Sequence, residues 1–298
     1  MKASNMRLTE SLIPSQNKLG EGPIWRQKQQ ALYWVDIHQK LVERYHPASG
    51  ERKTWHFPYA ITALGVNAKG GFVATSEKSF GKWNGRSNRI EELIDPEPDL
   101  PENRFNDGAV GPDGYFWAGT MCEEVDLDAH PPGSFYRFVR NVAASCLENN
   151  LYISNGLGWS PDKKYFYLTD SPVRTIYRYE YEPTSGEITN RQVWVHSPDE
   201  PGVPDGLAVD SEGCVWSAQW GGWKVIRYDP EGVKMMEIEL PVGHPTSCAF
   251  GGPSLNELFI TSAWTPLTPE QRAAQPLAGD VFHVQLEVKG QPVYRANL

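Results

Sequence analysis

Residues 204–219 read PDGLAVDSEGCVWSAQ: an apolar run, an Asp-Ser-Glu-Gly break at 210–213, and a second apolar run opened by Trp216. Asp, Ser and Gly between two short apolar runs favour a tight reversal, so the stretch reads as strand, turn, strand. The second run recurs along the chain. Trp34 (WVDI), Phe72 (FVAT), Trp117 (WAGT), Tyr167 (YLTD), Trp216 (WSAQ) and Phe259 (FITS) each open one, at separations of 38, 45, 50, 49 and 43 residues. Turn-like segments precede the anchors at 26–30, 67–70, 112–114, 161–164, 210–213 and 253–256. A further strand pattern follows each anchor, at 43–45, 81–83, 134–137, 175–178, 224–227 and 280–283, and several of these run into another turn and strand.

A repeat of this size built from strands and turns marks a β-propeller. Four strands per unit and six units predict an all-β, six-bladed β-propeller, with residues 1–298 forming a single domain. The even spacing argues against a sandwich or a pair of barrels. Only Thr268–Ala274 reads as a helix, with Thr268 as N-cap before Pro269 at the first helical position. The segment near Arg7–Leu12 is expected to add the outer strand of the last blade and close the ring.

The bulk composition agrees. Apolar residues are 40% and aromatics 12% of the chain, enough for a large sheet-rich core, and the 27 Gly and 24 Pro suit a structure with many turns. A net charge of −9 argues against a nucleic-acid or anionic-membrane surface. The polar start MKASNMRLTESLIPSQ lacks the apolar segment of a secretory signal, and no run approaches 18 apolar residues. Cys122, Cys146, Cys214 and Cys248 are widely spaced, without CxxC, and read as free thiols of a reducing compartment. A cytoplasmic protein is expected.

The chemistry falls in phase with the repeat. Counting back 11 to 13 residues from the anchors reaches the strand nearest the propeller axis. Glu21 (LGEGP), Asn106 (RFNDG), Asn155 (SNGLG) and Asp205 (PDGLA) lie there, whereas units two and six offer Thr62 and Ser247. Asn155-Gly156 and Pro204-Asp205-Gly206 look like turns in isolation, but the turns of those units are already placed at 161–164 and 210–213. Equivalent positions in a propeller surround one channel, so the four side chains should share a centre. Two carboxylates and an amide oxygen are hard ligands that favour Ca²⁺, Mg²⁺ or Mn²⁺ over a soft-ligand zinc site. A divalent ion would also relieve the repulsion between two acids in a narrow channel.

Arg104 reads either as a surface arginine or as a donor to substrate oxygens. The acidic loop 121–128 reads either as a solvated loop or as one that overhangs the same mouth. No GxSxG, HExxH, P-loop or helix-opening GxGxxG is present, and Trp220-Gly-Gly-Trp223 reads as a loop with aromatic packing.

LGEGPIW, RFNDG, WAGTM followed by two glutamates, SNGLGWSPD, PDGLAVDSEGCVW and CAFGG, in that order from about Lys18 to the C-terminus, resemble the regucalcin/gluconolactonase family. That family is also called senescence marker protein, gluconolactonase and luciferin-regenerating enzyme-like. TPEQRAAQPLAGDVF and WGGWKVIRY look closest to bacterial aldonolactonases. The resemblance implies one divalent metal in the central channel and hydrolysis of sugar lactones. It places metal ligands on Glu21, Asn155 and Asp205, and substrate-binding groups on Arg104, Asn106 and Glu124. Family members accept several divalent ions including zinc, so calcium is favoured without being fixed.

The expected reaction is hydrolysis of an aldono-lactone to its acid in carbohydrate catabolism, with Asp205 as general base or as orienter of a metal-bound water. The expected partner is a small-molecule sugar lactone, with no nucleic acid, membrane or obligate protein partner. Three rivals stand beside this reading. They are a calcium-binding regulatory propeller of regucalcin type, a scaffold for protein partners, and a hydrolase of organophosphates or non-sugar lactones.

Overall fold

The computed structural model describes residues 7–124, 133–139 and 143–298. Six sheets, antiparallel but for one short parallel pairing, follow one another in chain order; apart from Arg7–Leu8 and Glu10–Ile13, which lie at the outer edges of the fifth and sixth sheets, the first strand of each in sequence is the innermost. These inner strands are Gly20–Arg26, Ile61–Val66, Asn103–Val110, Ser154–Trp159, Val203–Val209 and Pro245–Gly251. The anchor aromatics lie on the second strand of each sheet and are buried without exception. The fold is the expected six-bladed propeller.

Burial of the aromatics follows from what the blades lack singly. A four-stranded sheet has two faces, and each inward face of a blade is covered by the next blade. The buried apolar residues accordingly fall into six clusters, each spanning two neighbouring blades. The seam between the last and first blades holds Ile13, Trp25, Leu32, Trp34, Phe259 and Val281, with Trp25 and Phe259 stacked at 5.6 Å. Trp216 Nε1 donates to Asp210 at 2.9 Å and Trp117 Nε1 to Asp113 at 3.2 Å, so acids of the preceding turns satisfy the buried indole N–H groups.

Ring closure is made by the N-terminal segment. Glu10–Ile13 pairs antiparallel with Val281–Gln285 and forms the outer strand of the sixth blade, whose other strands come from the C-terminal part of the chain. The strand is displaced slightly from the expected Arg7–Leu12, because Arg7–Leu8 pairs instead in parallel with Ile238–Glu239 of the fifth blade. The helix spans Pro269–Ala274, with Thr268 and Gln271 forming a capping box. All four cysteines are free; Cys122, Cys214 and Cys248 are buried and Cys146 is exposed. No helix among the described residues is long and apolar enough to cross a membrane.

Candidate functional site

Every inner strand breaks register at the same level of the ring. The irregularities fall between Glu21 and Ile24, Ile61 and Ala63, Phe105 and Gly108, Asn155 and Leu157, Pro204 and Leu207, and Pro245 and Ser247. A bulge leaves one residue out of the ladder and re-aims its side chain. Asn106 and Asp205 fall inside these breaks, Glu21 and Asn155 at the edge of theirs, and all four line a common cavity of about 370 Å³ at one end of the channel.

Glycine follows three of these residues: Gly22 adopts φ +53°, and Gly156 and Gly206 are set by close approach. A Cβ on Gly156 would sit 2.5 Å from the Asp205 carbonyl oxygen, and one on Gly206 would sit 2.1 Å from Ser247 Oγ. Only glycine lets neighbouring inner strands approach this closely. Each freed N–H also turns onto its neighbour's side chain: Gly22 N donates to Glu21 Oε2 at 3.1 Å, and Gly156 N to Asn155 Oδ1 at 3.2 Å.

The cavity brings together five of the six expected site residues. Glu21, Arg104, Asn155 and Asp205 line it at 8%, 7%, 6% and 5% exposure, and Asn106 lies beside them. Asn155 Nδ2 donates to Ser171 Oγ at 3.1 Å, which leaves its Oδ1 with a lone pair for the axis. Asn106 is more occupied than expected: Oδ1 accepts from Arg104 Nη1 at 3.0 Å and Nδ2 donates to the Ser154 carbonyl at 3.0 Å. Glu124 lies exposed outside the residues that line the cavity, and Glu123 lines it instead, paired with Arg104 Nε. Residues 125–128 of the acidic loop lie outside the described residues.

The electrostatics are those of acids wanting a cation. Burial raises the Glu21 pKa well above the usual carboxylate value, and the charges of Asp205 and Asp107 raise it further. Asp205 is raised likewise by burial and by Asp107, against opposing hydrogen bonds from Asn155 and Gly206 N–H. Neither Glu21 nor Asp205 makes an ion pair with any described residue. Two buried, unpaired carboxylates beside an amide oxygen form a hard-oxygen donor set, and a divalent cation fits it.

A different acidic group, Asp210, Glu212 and Cys214, does not. Arg227 already neutralises it, with Nη2 2.7 Å from both Asp210 Oδ2 and Glu212 Oε2.

Sequence reasoning passed over Asp107. Its carboxylate faces the other end of the channel, a largely apolar cavity of about 180 Å³ lined in part by Gln291, Pro292, Val293 and Tyr294. Its single described hydrogen bond comes from Gly108 N at 2.7 Å, and burial raises its pKa to about 6. The signal was present: Asp107-Gly108 repeats the acid-or-amide-then-glycine pattern of Glu21-Gly22, Asn155-Gly156 and Asp205-Gly206. His38 and Trp220, which also line the front cavity, carried no such pattern.

A family model described as the SMP-30/Gluconolactonase/LRE-like region matches residues 19–264. The chain belongs to that family. It is 36% identical over 290 residues to the regucalcin of Oryctolagus cuniculus, covering 96% of this chain and 97% of that protein. It is 35% identical over 272 residues to the 6-deoxy-6-sulfogluconolactonase of Pseudomonas putida, covering 91% and 92%. Among solved structures it is similar to a calcium-binding protein, regucalcin, of Agrobacterium tumefaciens. The TM-score there is 0.90 at 29% identity, over 97% of this chain and 99% of that one.

Proposed function

We propose that this member of the family hydrolyses a sugar lactone, an aldono-1,4- or 1,5-lactone, to the aldonic acid. One divalent cation would be held by Glu21, Asn155 and Asp205, with calcium favoured and zinc, manganese or magnesium as alternatives. The observation that carries the reading is a buried hard-oxygen donor set, lacking a protein cation, beside an arginine that faces the same cavity. The lactonase names of relatives support the same reaction class.

When bound, the cation would supply Lewis acidity toward the lactone carbonyl oxygen. Asp205 is the base: it accepts a proton from the water that attacks C1, and the proton returns to the ring oxygen as the C1–O bond breaks. Arg104 Nη2 has no partner among the described residues, so it is free to donate to substrate oxygens. Asn106 holds the Arg104 guanidinium, and Glu123 pairs with its Nε. Glu124, expected to contact substrate, is exposed and outside the residues that line the cavity. A polar composition, four free thiols and a net charge of −9 support a one-domain cytoplasmic enzyme acting on small molecules, without nucleic-acid, membrane or obligate protein partners.

Relatives named regucalcin, one of them called a calcium-binding protein, favour a second reading in which the same ligands hold calcium without significant catalysis. Proton release from a panel of aldono-lactones, with spontaneous hydrolysis subtracted, separates the two. Turnover of one lactone supports hydrolysis, whereas stoichiometric calcium binding with only background turnover supports the regulatory reading.

A further inference from the structure

Trp220-Gly221-Gly222-Trp223 has no part in the reading above, yet its first residue, Trp220, lines the same cavity. Trp220 ends the strand Val215–Trp220, lines the cavity and is half-buried. His244 packs against its ring, with centroids 4.5 Å apart and planes inclined at 48°.

The position of Trp220 is tied to the catalytic strand. Trp220 pairs with Val203 and Gln219 with Pro204, so the indole stands beside the residue two places before Asp205, about 7 Å away along the strand. The turn that follows presses against the same strand. Gly221 adopts φ +77°, Gly222 N donates to the Gln219 carbonyl at 2.8 Å, and a Cβ on Gly202 would lie 2.6 Å from Gly222 N. Side chains at 202 or 222 would push the two segments apart.

The cavity lining is mixed: the third blade brings Arg104, Asn106 and Glu123 together with Met121, whereas Val203, Trp220 and Pro266 form an apolar wall beside Asp205 and Thr265. A fully hydroxylated open chain would lose hydrogen bonds against such a wall. A cyclic polyol would not, because its hydroxyls lie around the ring edge and its faces are C–H. A flat indole beside a few oriented polar groups suits that shape.

We propose that Trp220 is a specificity-determining platform that packs against the C–H face of the lactone ring while the third blade binds the hydroxyl edge. The assignment rests on the lactonase reading above for its substrate, though not for its geometry. Covering about 50 Å² of ring face corresponds to roughly tenfold in affinity.

The test uses Trp220→Leu, which keeps an apolar wall without a flat face, and Trp220→Tyr, which keeps the face. Both are checked for unchanged calcium affinity. Trp220→Leu is expected to raise KM for the preferred lactone about tenfold with kcat within threefold, and Trp220→Tyr to stay within about threefold in both.

Saturation-transfer NMR with 1,5-anhydroglucitol, a pyranose ring that cannot be hydrolysed, reads the contact without turnover. Wild-type protein should transfer saturation to the ring C–H protons, and Trp220→Leu should lose most of it. A KM within twofold of wild type in Trp220→Leu, undiminished transfer in that variant, or no transfer in wild type would overturn the assignment. Transfer that depends on Trp220 in a wild type that hydrolyses no lactone would sink the lactonase reading and leave the platform standing.

Discussion

Asn106 Oδ1 accepts from Arg104 Nη1 at 3.0 Å while Asn106 Nδ2 donates to the Ser154 carbonyl of the next blade, also at 3.0 Å. The amide therefore works as a strut. It ties two inner strands together at the level of Glu21, Asn155 and Asp205 and fixes the guanidinium against the cavity. Replacing Arg104 by Lys keeps the charge but loses the fork that binds Asn106 and substrate together. Arg104→Lys should raise KM for the substrate lactone by roughly ten- to a hundredfold and leave calcium affinity within twofold. Steady-state kinetics and calcium titration on the same preparations check it.

Glu123 and Glu124 are neighbours with different surroundings. Glu123 pairs with Arg104 and lines the cavity, whereas Glu124 is exposed outside it. Glu123→Gln should lower kcat/KM about tenfold, and Glu124→Gln should change it less than twofold. The reverse order would show that the acidic loop, rather than the strand end, meets the substrate.

How much of this was legible in the sequence depends on how local the cause is. The propeller was legible because each blade repeats the same anchor aromatic and turn, and burial of Trp34, Trp117 and Trp216 follows from that repeat. Glu21, Asn155 and Asp205 were legible because they recur at one phase. The choice between Glu123 and Glu124 was not, since it depends on the register that pairs Arg104 with Met121 just before a bulge, and one residue of register exchanges the two. Closure by Glu10–Ile13 was anticipated to within a few residues. Its exact start was hidden because Arg7–Leu8 finds a second partner in the fifth blade.

Closure predicts a stability effect. Ile13 is buried in the seam between the last and first blades, and Glu10–Ile13 covers an otherwise open edge. Removing residues 1–13 should lower the melting temperature by roughly 10 °C or more, measured by calorimetry in the presence of calcium. A melting temperature within 2 °C of the full chain would show that the strand contributes little.

Asp107 predicts a pH dependence in metal-free protein. Burial raises its folded-state pKa to about 6, above the ordinary 3.8 of an aspartate. The folded state then binds more protons than the unfolded state between those values, so this contribution is complete below pH 4 and is lost as pH rises through 6. A shift of about two units corresponds to about 3 kcal/mol. Chelator-treated Asp107→Asn should therefore gain stability over wild type at pH 7.5 and gain about a third as much at pH 4.5. Denaturant melts of both proteins at both pH values give the answer, and an equal difference at the two would remove Asp107 from this role.

Metal binding itself should be visible as stability. Calcium at a hundred times its Kd should add about 2.7 kcal/mol to unfolding of the chelator-stripped protein. Glu21→Gln should abolish that gain while leaving the metal-free protein at least as stable, since it removes one of the mutually repelling buried acids.

The most direct measurement is a calcium titration of chelator-stripped protein, with heat and hydrolysis of the preferred aldono-lactone read on the same samples, for wild type and Asp205→Ala. The predicted result is turnover that rises in step with occupancy and saturates at one ion per chain. Asp205→Ala should lose turnover on the order of a thousandfold and most of its calcium affinity while keeping its fold. Full turnover before any metal is added, or turnover retained in Asp205→Ala, would contradict the account.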